Sequence, residues 1–260
     1  MKENINGVSV HYRVEGEGKS KVLLLHGWGC DMSMMQPVAD ALKQTHSVLL
    51  VDFPGHGQSG RPPEPWGVPE YAECIDALLQ KLSFFPCSVI AHSFGCRITT
   101  WLEKEKPSLI HKIVFTGAAG IRPQPSAEAQ KRNKRYQKLK RYSEMLKNLP
   151  LMGSVAEDMQ QKLRQHYGSP DYNALDDEMR KTFIKVIQLD LTEYYNSFQS
   201  STLLIWGDAD TETPLWMAKE MANRIPDCGL VILEGGSHFA YLEQISRFNT
   251  IVRQFLKEEE

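Results

Sequence analysis

Short apolar runs that recur at helix-length intervals constrain this chain more than any other feature. Residues 22–25, 48–51, 87–91, 113–115, 202–206 and 230–233 are nearly continuous in Val, Leu, Ile, Ala and Phe, without the polar alternation of a half-exposed strand. Strands of that kind are buried on both faces, which requires a parallel sheet covered by helices on each side. The intervals supply those helices: residues 34–43, 69–82, 94–105, 215–224 and 245–256 carry helical periodicity. The expected fold class is therefore α/β, a mostly parallel central sheet flanked by helices. Residues 8–14 alternate in polarity and follow Asn6-Gly7, which predicts a hairpin entering one edge of the sheet.

Residues 122–201 break the rhythm. They have helical periodicity but no buried strand, so they read as a helical cap (lid) inserted into a core made of residues 1–121 and 202–260. An insertion at that point is expected over the strand ends, where ligands bind in open α/β folds. Its first part, residues 122–147, holds nine Lys or Arg against two Glu, whereas the whole chain of 260 residues has a formal net charge of −2. The basic run is either a solvated helix face or an attractor for an anionic partner. No global charge favours nucleic acid, and no run is long enough to span a bilayer. Neither nucleic acid nor membrane is an expected partner, and a cytoplasmic location is the default. Cys30, Cys74, Cys87, Cys96 and Cys228 are odd in number and scattered, which argues against a disulfide framework or a metal site.

The chemistry lies at the ends of the strands. Ser93 stands in Ala91-His92-Ser93-Phe94-Gly95, between an apolar strand and a helix. A tight strand-to-helix turn of this kind lifts a hydroxyl out as a nucleophile. A serine hydroxyl needs a base and a group that orients the base. His238 follows the strand at 230–233, and Asp208 and Asp210 both follow the strand at 202–206. An ordinary helix-capping role for Ser93 would leave that placement of acid and imidazole unexplained. His26 and His56 lie in Gly-containing turns and read as structural, and His92 reads as packing at the turn or as pocket wall. No dinucleotide or phosphate-loop spacing occurs, and no cofactor is implied. No zinc-binding His pair occurs either, so no metal is expected.

With these residues the chain resembles the α/β-hydrolase superfamily over nearly its full length. The resemblance includes His26-Gly27-Trp28-Gly29 as the oxyanion loop and Asp52-Phe53-Pro54-Gly55-His56-Gly57-Gln58-Ser59 at the next strand end. Ala91 departs from the Gly that is usual at its position. The resemblance implies Ser93 as nucleophile, His238 as general base and then acid, and Asp210, favoured over Asp208 by the family spacing, as the residue that orients His238. It implies an oxyanion hole from the backbone N–H groups of Trp28 and Phe94. Asp208 is then a turn cap.

The expected activity is hydrolysis of a carboxylic ester of a small or medium acyl group through an acyl-enzyme. Trp28, Phe94, Met145, Leu146, Leu149, Met152 and Phe239 are candidate substrate-lining residues. The alternatives are an esterase, thioesterase or methyl esterase acting on carrier-protein- or CoA-linked acyl groups, a C–C bond hydrolase, an acyltransferase, or a small-molecule-binding protein without turnover. The partners so implied are a small-molecule ester, an acidic acyl carrier protein for the second reading, and at most a second copy of the chain as a homodimer.

Overall fold

The computed structural model describes residues 1–122, 127–147, 149, 152–167 and 170–257. Eight strands, β1 (Lys2–Ile5), β2 (Val8–Glu15), β3 (Ser20–Leu25), β4 (His46–Val51), β5 (Cys87–His92), β6 (Ile110–Thr116), β7 (Ser201–Gly207) and β8 (Cys228–Leu233), form one sheet in the order β1-β2-β4-β3-β5-β6-β7-β8. The first two pairings, β1 with β2 and β2 with β4, are antiparallel, and all the others are parallel. The hairpin β1–β2 closes at Asn6-Gly7, both at positive φ, which suits the twist of a two-residue turn.

The helices are α1 (Gln36–Leu42), α2 (Val68–Lys81), α3 (Phe94–Glu105), α4 (Ala127–Lys147), α5 (Gly153–Tyr167), α6 (Pro170–Ala174), α7 (Asp177–Gln188), α8 (Leu215–Arg224), α9 (Ala240–Glu243) and α10 (Ile245–Leu256). Alternate side chains of each central strand go to opposite faces. Leu23, Leu25, Leu49, Val51, Val89, Ala91, Phe115, Leu204 and Trp206 join one core, which includes residues of α2, α3 and α8. Val22, Leu24, Val48, Leu50, Ile90, Val114 and Ile205 join the other, with Val38 and Leu42 of α1 and Phe248 and Val252 of α10. Two-sided burial is why these strands read as unbroken apolar runs.

The chain divides into two compact units, Met1–Arg122 with Ile184–Glu260, and Pro123–Phe183. The first contains the whole sheet. The second contains α4, α5, α6 and the start of α7, a helical insertion between β6 and β7. Among the described residues no helix is long and apolar enough to cross a membrane.

The sheet order reverses between β3 and β5, so the loops that follow these two strands diverge and leave a crevice at their C-terminal ends. The segment that returns to β7 is held by α3. Arg97, almost fully buried, donates to Val186 O and Leu189 O at 3.2 and 2.9 Å. Glu103, fully buried, accepts from the backbone N–H groups of Gln199 and Ser200 at 2.7 and 2.8 Å and from Ser200 Oγ at 2.9 Å. Glu103→Ala would leave the buried N–H of Ser200 without its acceptor. A loss of about 2–4 kcal/mol of stability is expected, read as a lower denaturant midpoint.

Candidate active site

β5 is buried to its end, and the chain turns at Ser93 with φ 48° and ψ −104° before α3 begins at Phe94. A non-glycine residue in that region costs on the order of 1–3 kcal/mol and persists only where its surroundings enforce it. Three backbone bonds do so: Ser93 N–H to Thr116 O (3.2 Å), Ala119 N–H to Ser93 O (3.3 Å) and Gly95 N–H to His26 O (3.2 Å). Packing adds a fourth restraint, because a Cβ at Gly95 would lie 2.7 Å from Leu25 O and 2.8 Å from Leu25 Cβ.

The acid and the imidazole meet beyond the ends of β7 and β8. Trp206, buried in β7, donates its indole N–H to Thr213 O at 2.7 Å and so folds back the loop that carries Asp210. Asp210 Oδ1 accepts from the N–H groups of Glu212 and Thr213, each at 2.9 Å, and Oδ2 accepts from Thr213 Oγ1 at 2.8 Å. Oδ2 also pairs with His238 Nδ1 at 2.9 Å. Burial alone would raise the Asp210 carboxyl, but the hydrogen bonds from His238 and Thr213 and the charge of His238 hold it below its ordinary value. An ionised carboxylate at Nδ1 assigns the proton to that nitrogen and leaves Nε2 as the basic one.

Ser93 is half-buried, and among the described residues no hydrogen bond joins its Oγ to His238. Oε2 of exposed Glu212 lies 3.8 Å from His238 Nε2. The residue beside Ser93 does reach the imidazole loop: His92 Nε2 lies 3.0 Å from His238 O. Asp208 is directed elsewhere, since its Oδ1 accepts from Gly235 N–H at 2.6 Å and so ties the two strand-end loops together.

The other histidines are held by backbone groups. His26 is fully buried, with Nδ1 2.7 Å from Gly27 O and Nε2 accepting from Phe53 N–H at 3.1 Å. It thus joins the loop after β3 to the loop after β4, and burial lowers its pKa. His56 bonds to Pro54 O at 3.2 Å and is lowered to about 4, chiefly by burial. Asp52 completes this scaffold by accepting from the N–H groups of Met32 (2.8 Å) and Gln58 (2.9 Å) and from His11 Nδ1 (2.8 Å).

Phe94 has no acceptor within its own helix for its N–H, as its position at the start of α3 requires. Its ring is buried against Trp28, Phe53 and Tyr71, with centroids 5.2, 4.9 and 5.1 Å away. Trp28 is half-buried and also meets His56 edge-on at 4.9 Å. Phe239, half-buried, lies 5.0 Å from His92 and 5.5 Å from His238. Met145, Leu146, Leu149 and Met152 belong to the second unit, where Met145 and Leu149 are exposed and the other two half-buried. Among the described residues no three His, Cys, Asp or Glu side chains gather as a metal site.

Sequence reasoning missed Thr213 and Glu212. A Thr three residues after Asp210 is a detectable turn signal, because its N–H and hydroxyl can both serve the preceding carboxylate. Nothing local marks Glu212.

A mostly parallel sheet with a strained serine turn at one strand end, and a buried carboxylate–imidazole pair at two others, is the architecture of an α/β hydrolase. Residues 22–249 match the alpha/beta hydrolase family, and the chain belongs to that family. It is 24% identical to the pimeloyl-[acyl-carrier protein] methyl ester esterase of Aliivibrio salmonicida, over 97% of each chain. The enol-lactonase of Burkholderia xenovorans superposes with a TM-score of 0.76 at 22% identity, covering 99% of this chain and 100% of that one. An esterase of Exiguobacterium antarcticum superposes with a TM-score of 0.75 at 20% identity, covering 99% of both.

The bonding separates the two aspartates. Asp210→Asn is expected to lower kcat by on the order of 10⁴-fold, because an amide at Nδ1 favours the wrong imidazole tautomer. Asp208→Asn, which keeps an oxygen for Gly235 N–H, should stay within about tenfold of the parent. Steady-state hydrolysis of an activated ester would check both, and the opposite ranking would reassign the acid.

Proposed function

We propose that the protein is a serine esterase that cleaves a carboxylic ester through an acyl-enzyme, with Ser93 as nucleophile, His238 as base and Asp210 as its orienting carboxylate. The observation that carries this reading is Ser93 at positive φ on the strand-to-helix turn, in a chain whose loops after β7 and β8 join a buried Asp210 to His238. A strained serine at such a turn is the geometry of an activated nucleophile.

In the proposed cycle Ser93 Oγ attacks the ester carbonyl as its proton passes to His238 Nε2. Asp210 stabilises the imidazolium without taking the proton. The oxyanion is met by the N–H groups of Trp28 and Phe94. His238 then returns the proton to the departing alkoxide, and the alcohol leaves. A water deprotonated by the same nitrogen attacks the acyl carbon; the bond from that carbon to Ser93 Oγ then breaks as His238 returns the proton to Oγ, and the acid leaves. The hydrogen bond from Ser93 Oγ to Nε2, not made in the free protein, forms on substrate binding, as such bonds commonly tighten only in the complex. Trp28 and Phe239 are the proposed walls beside the reacting carbonyl.

A second reading concerns the form of the substrate. Helix α4 exposes Lys131, Arg132, Lys134, Arg135, Lys138, Lys140, Arg141 and Lys147 against Glu128 and Glu144. Such a surface would attract an acidic acyl carrier, and a relative of nearly the same length is named as a methyl esterase of a carrier-bound acyl group. On this reading the ester is presented on a carrier protein rather than free.

Ser93→Ala should reduce turnover by on the order of 10⁶-fold with the fold retained, and a fluorophosphonate should label the parent at Ser93 alone. Activity retained in that variant would overturn the covalent mechanism. The two substrate forms separate with one acyl methyl ester, offered free and carrier-linked. Carrier presentation should raise kcat/KM and make it fall with added salt, and Lys138→Glu with Arg141→Glu should abolish that gain while sparing the free ester. Equal, salt-independent rates for the two forms would leave the free ester as the substrate.

A further inference from the structure

His92 precedes the nucleophile, yet its ring faces the loop of the base. It is 1% exposed, and its ring centroid lies 4.8 Å from that of His238, 5.0 Å from Phe239 and 4.9 Å from Tyr241. Its one hydrogen bond among the described residues joins Nε2 to His238 O at 3.0 Å. A carbonyl oxygen only accepts, so Nε2 carries the proton. The third side of the ring is the oxyanion loop: a Cβ on Gly27 would lie 2.8 Å from His92 Nδ1 and 3.2 Å from Cε1. One buried ring therefore fills the space between the serine turn, the loop after β3 and the loop of His238. The bond crosses 146 positions of sequence.

We infer that His92 is a positioning residue for the hydrolytic reaction: its Nε2–H fixes the backbone of His238 relative to the Ser93 turn, so that serine and imidazole meet at a set separation. The inference rests on His238 acting as the base. Asp210 fixes the imidazole from its Nδ1 edge, but both of these residues lie on loops after β7 and β8, two and three strands from β5. A bond from the residue beside Ser93 ties that pair directly to the nucleophile. His92 is suited to hold it throughout turnover. Burial, and then the positive charge that His238 acquires, push its pKa down to about 3, so the ring stays neutral with one fixed donor while His238 takes and returns the proton.

The test uses three substitutions that differ in where they place a donor. His92→Phe keeps a ring and removes the N–H. His92→Gln sets its amide nitrogen as many bonds from Cα as Nε2, whereas His92→Asn sets it where Nδ1 was. Covalent labelling by a fluorophosphonate reads the reactivity of Ser93 without a known substrate, and p-nitrophenyl acetate hydrolysis separates kcat from KM. The Phe and Asn variants should label and turn over about 10–100-fold more slowly with KM within about twofold, as expected of a small misplacement of reacting groups, and Gln should restore most of the rate. A Phe variant as fast as the parent, or Gln and Asn variants equally slow, would overturn the inference. If the Phe variant does not fold, the Gln-to-Asn contrast decides, because a purely structural requirement for a polar side chain would not separate them by rate. His238→Ala is the reference. Full labelling in that variant would remove the base itself, and the inference with it, whereas loss there with an unaffected Phe variant would overturn the role of His92 alone.

Discussion

The close approach of α3 to β3 is the constraint on which the rest of the molecule depends. At Gly95 the helix comes so near the strand that a single methyl group would collide with Leu25. Two residues before that contact, the turn between β5 and α3 places Ser93 in the strained conformation. The bonds from Gly95 to His26 O, from Ser93 to Thr116 O and from Ala119 to Ser93 O offset the strain, and they connect the turn to the segments after β3 and β6. The loops that carry Ser93, Asp210 and His238 are thus direct extensions of the strands.

Four histidines at these strand ends show how environment divides one residue type among tasks. His26 has both nitrogens engaged by backbone groups and acts as a brace between two loops. His56 is neutralised by burial and packs edge-on to Trp28. His92 donates once, to a carbonyl. His238 has a carboxylate at Nδ1 and keeps Nε2 out of any hydrogen bond among the described residues. Of the four, His238 is the one paired directly with a carboxylate, which is what a proton acceptor needs.

The central sheet was legible in the sequence because two-sided burial leaves no polar alternation, and β3, β4, β5 and β7 all contain the apolar runs at their expected places. The start of β6 was not, because His111 and Lys112 interrupt its run at a point where those side chains reach solvent or the C-terminal helix; Lys112 Nζ bonds Phe255 O at 3.0 Å. The strand β1, Lys-Glu-Asn-Ile, has no apolar run at all and was implied only through the turn at Asn6-Gly7. Ser93, Asp210 and His238 stood out because each follows a recognisable strand. Arg97 and Glu103 did not, since their partners are fixed by tertiary placement. Arg97 and Glu103 act on residues about 90 positions away, and no local pattern encodes such a contact.

Those two buried charges explain how the fold carries a long insertion without disturbing its sheet. The chain leaves β6 and returns to β7, its immediate neighbour, so the strands on either side of the insertion can pair whatever lies between them. Pairing alone would leave the returning segment unanchored on its approach. Arg97 fixes it at the end of α7 through two carbonyls, and Glu103 fixes it again just before β7 through two N–H groups. Both side chains come from α3, less than two turns apart on the helix that begins beside Ser93. Burying a charge is costly unless it is hydrogen-bonded, and each of these is paired with backbone groups of the returning segment. The helix that enforces the serine turn is therefore also the anchor of the returning chain. Sequence between Pro123 and Phe183 can change without removing either of these contacts, which is the freedom a family needs if it is to alter substrate choice around a constant catalytic frame.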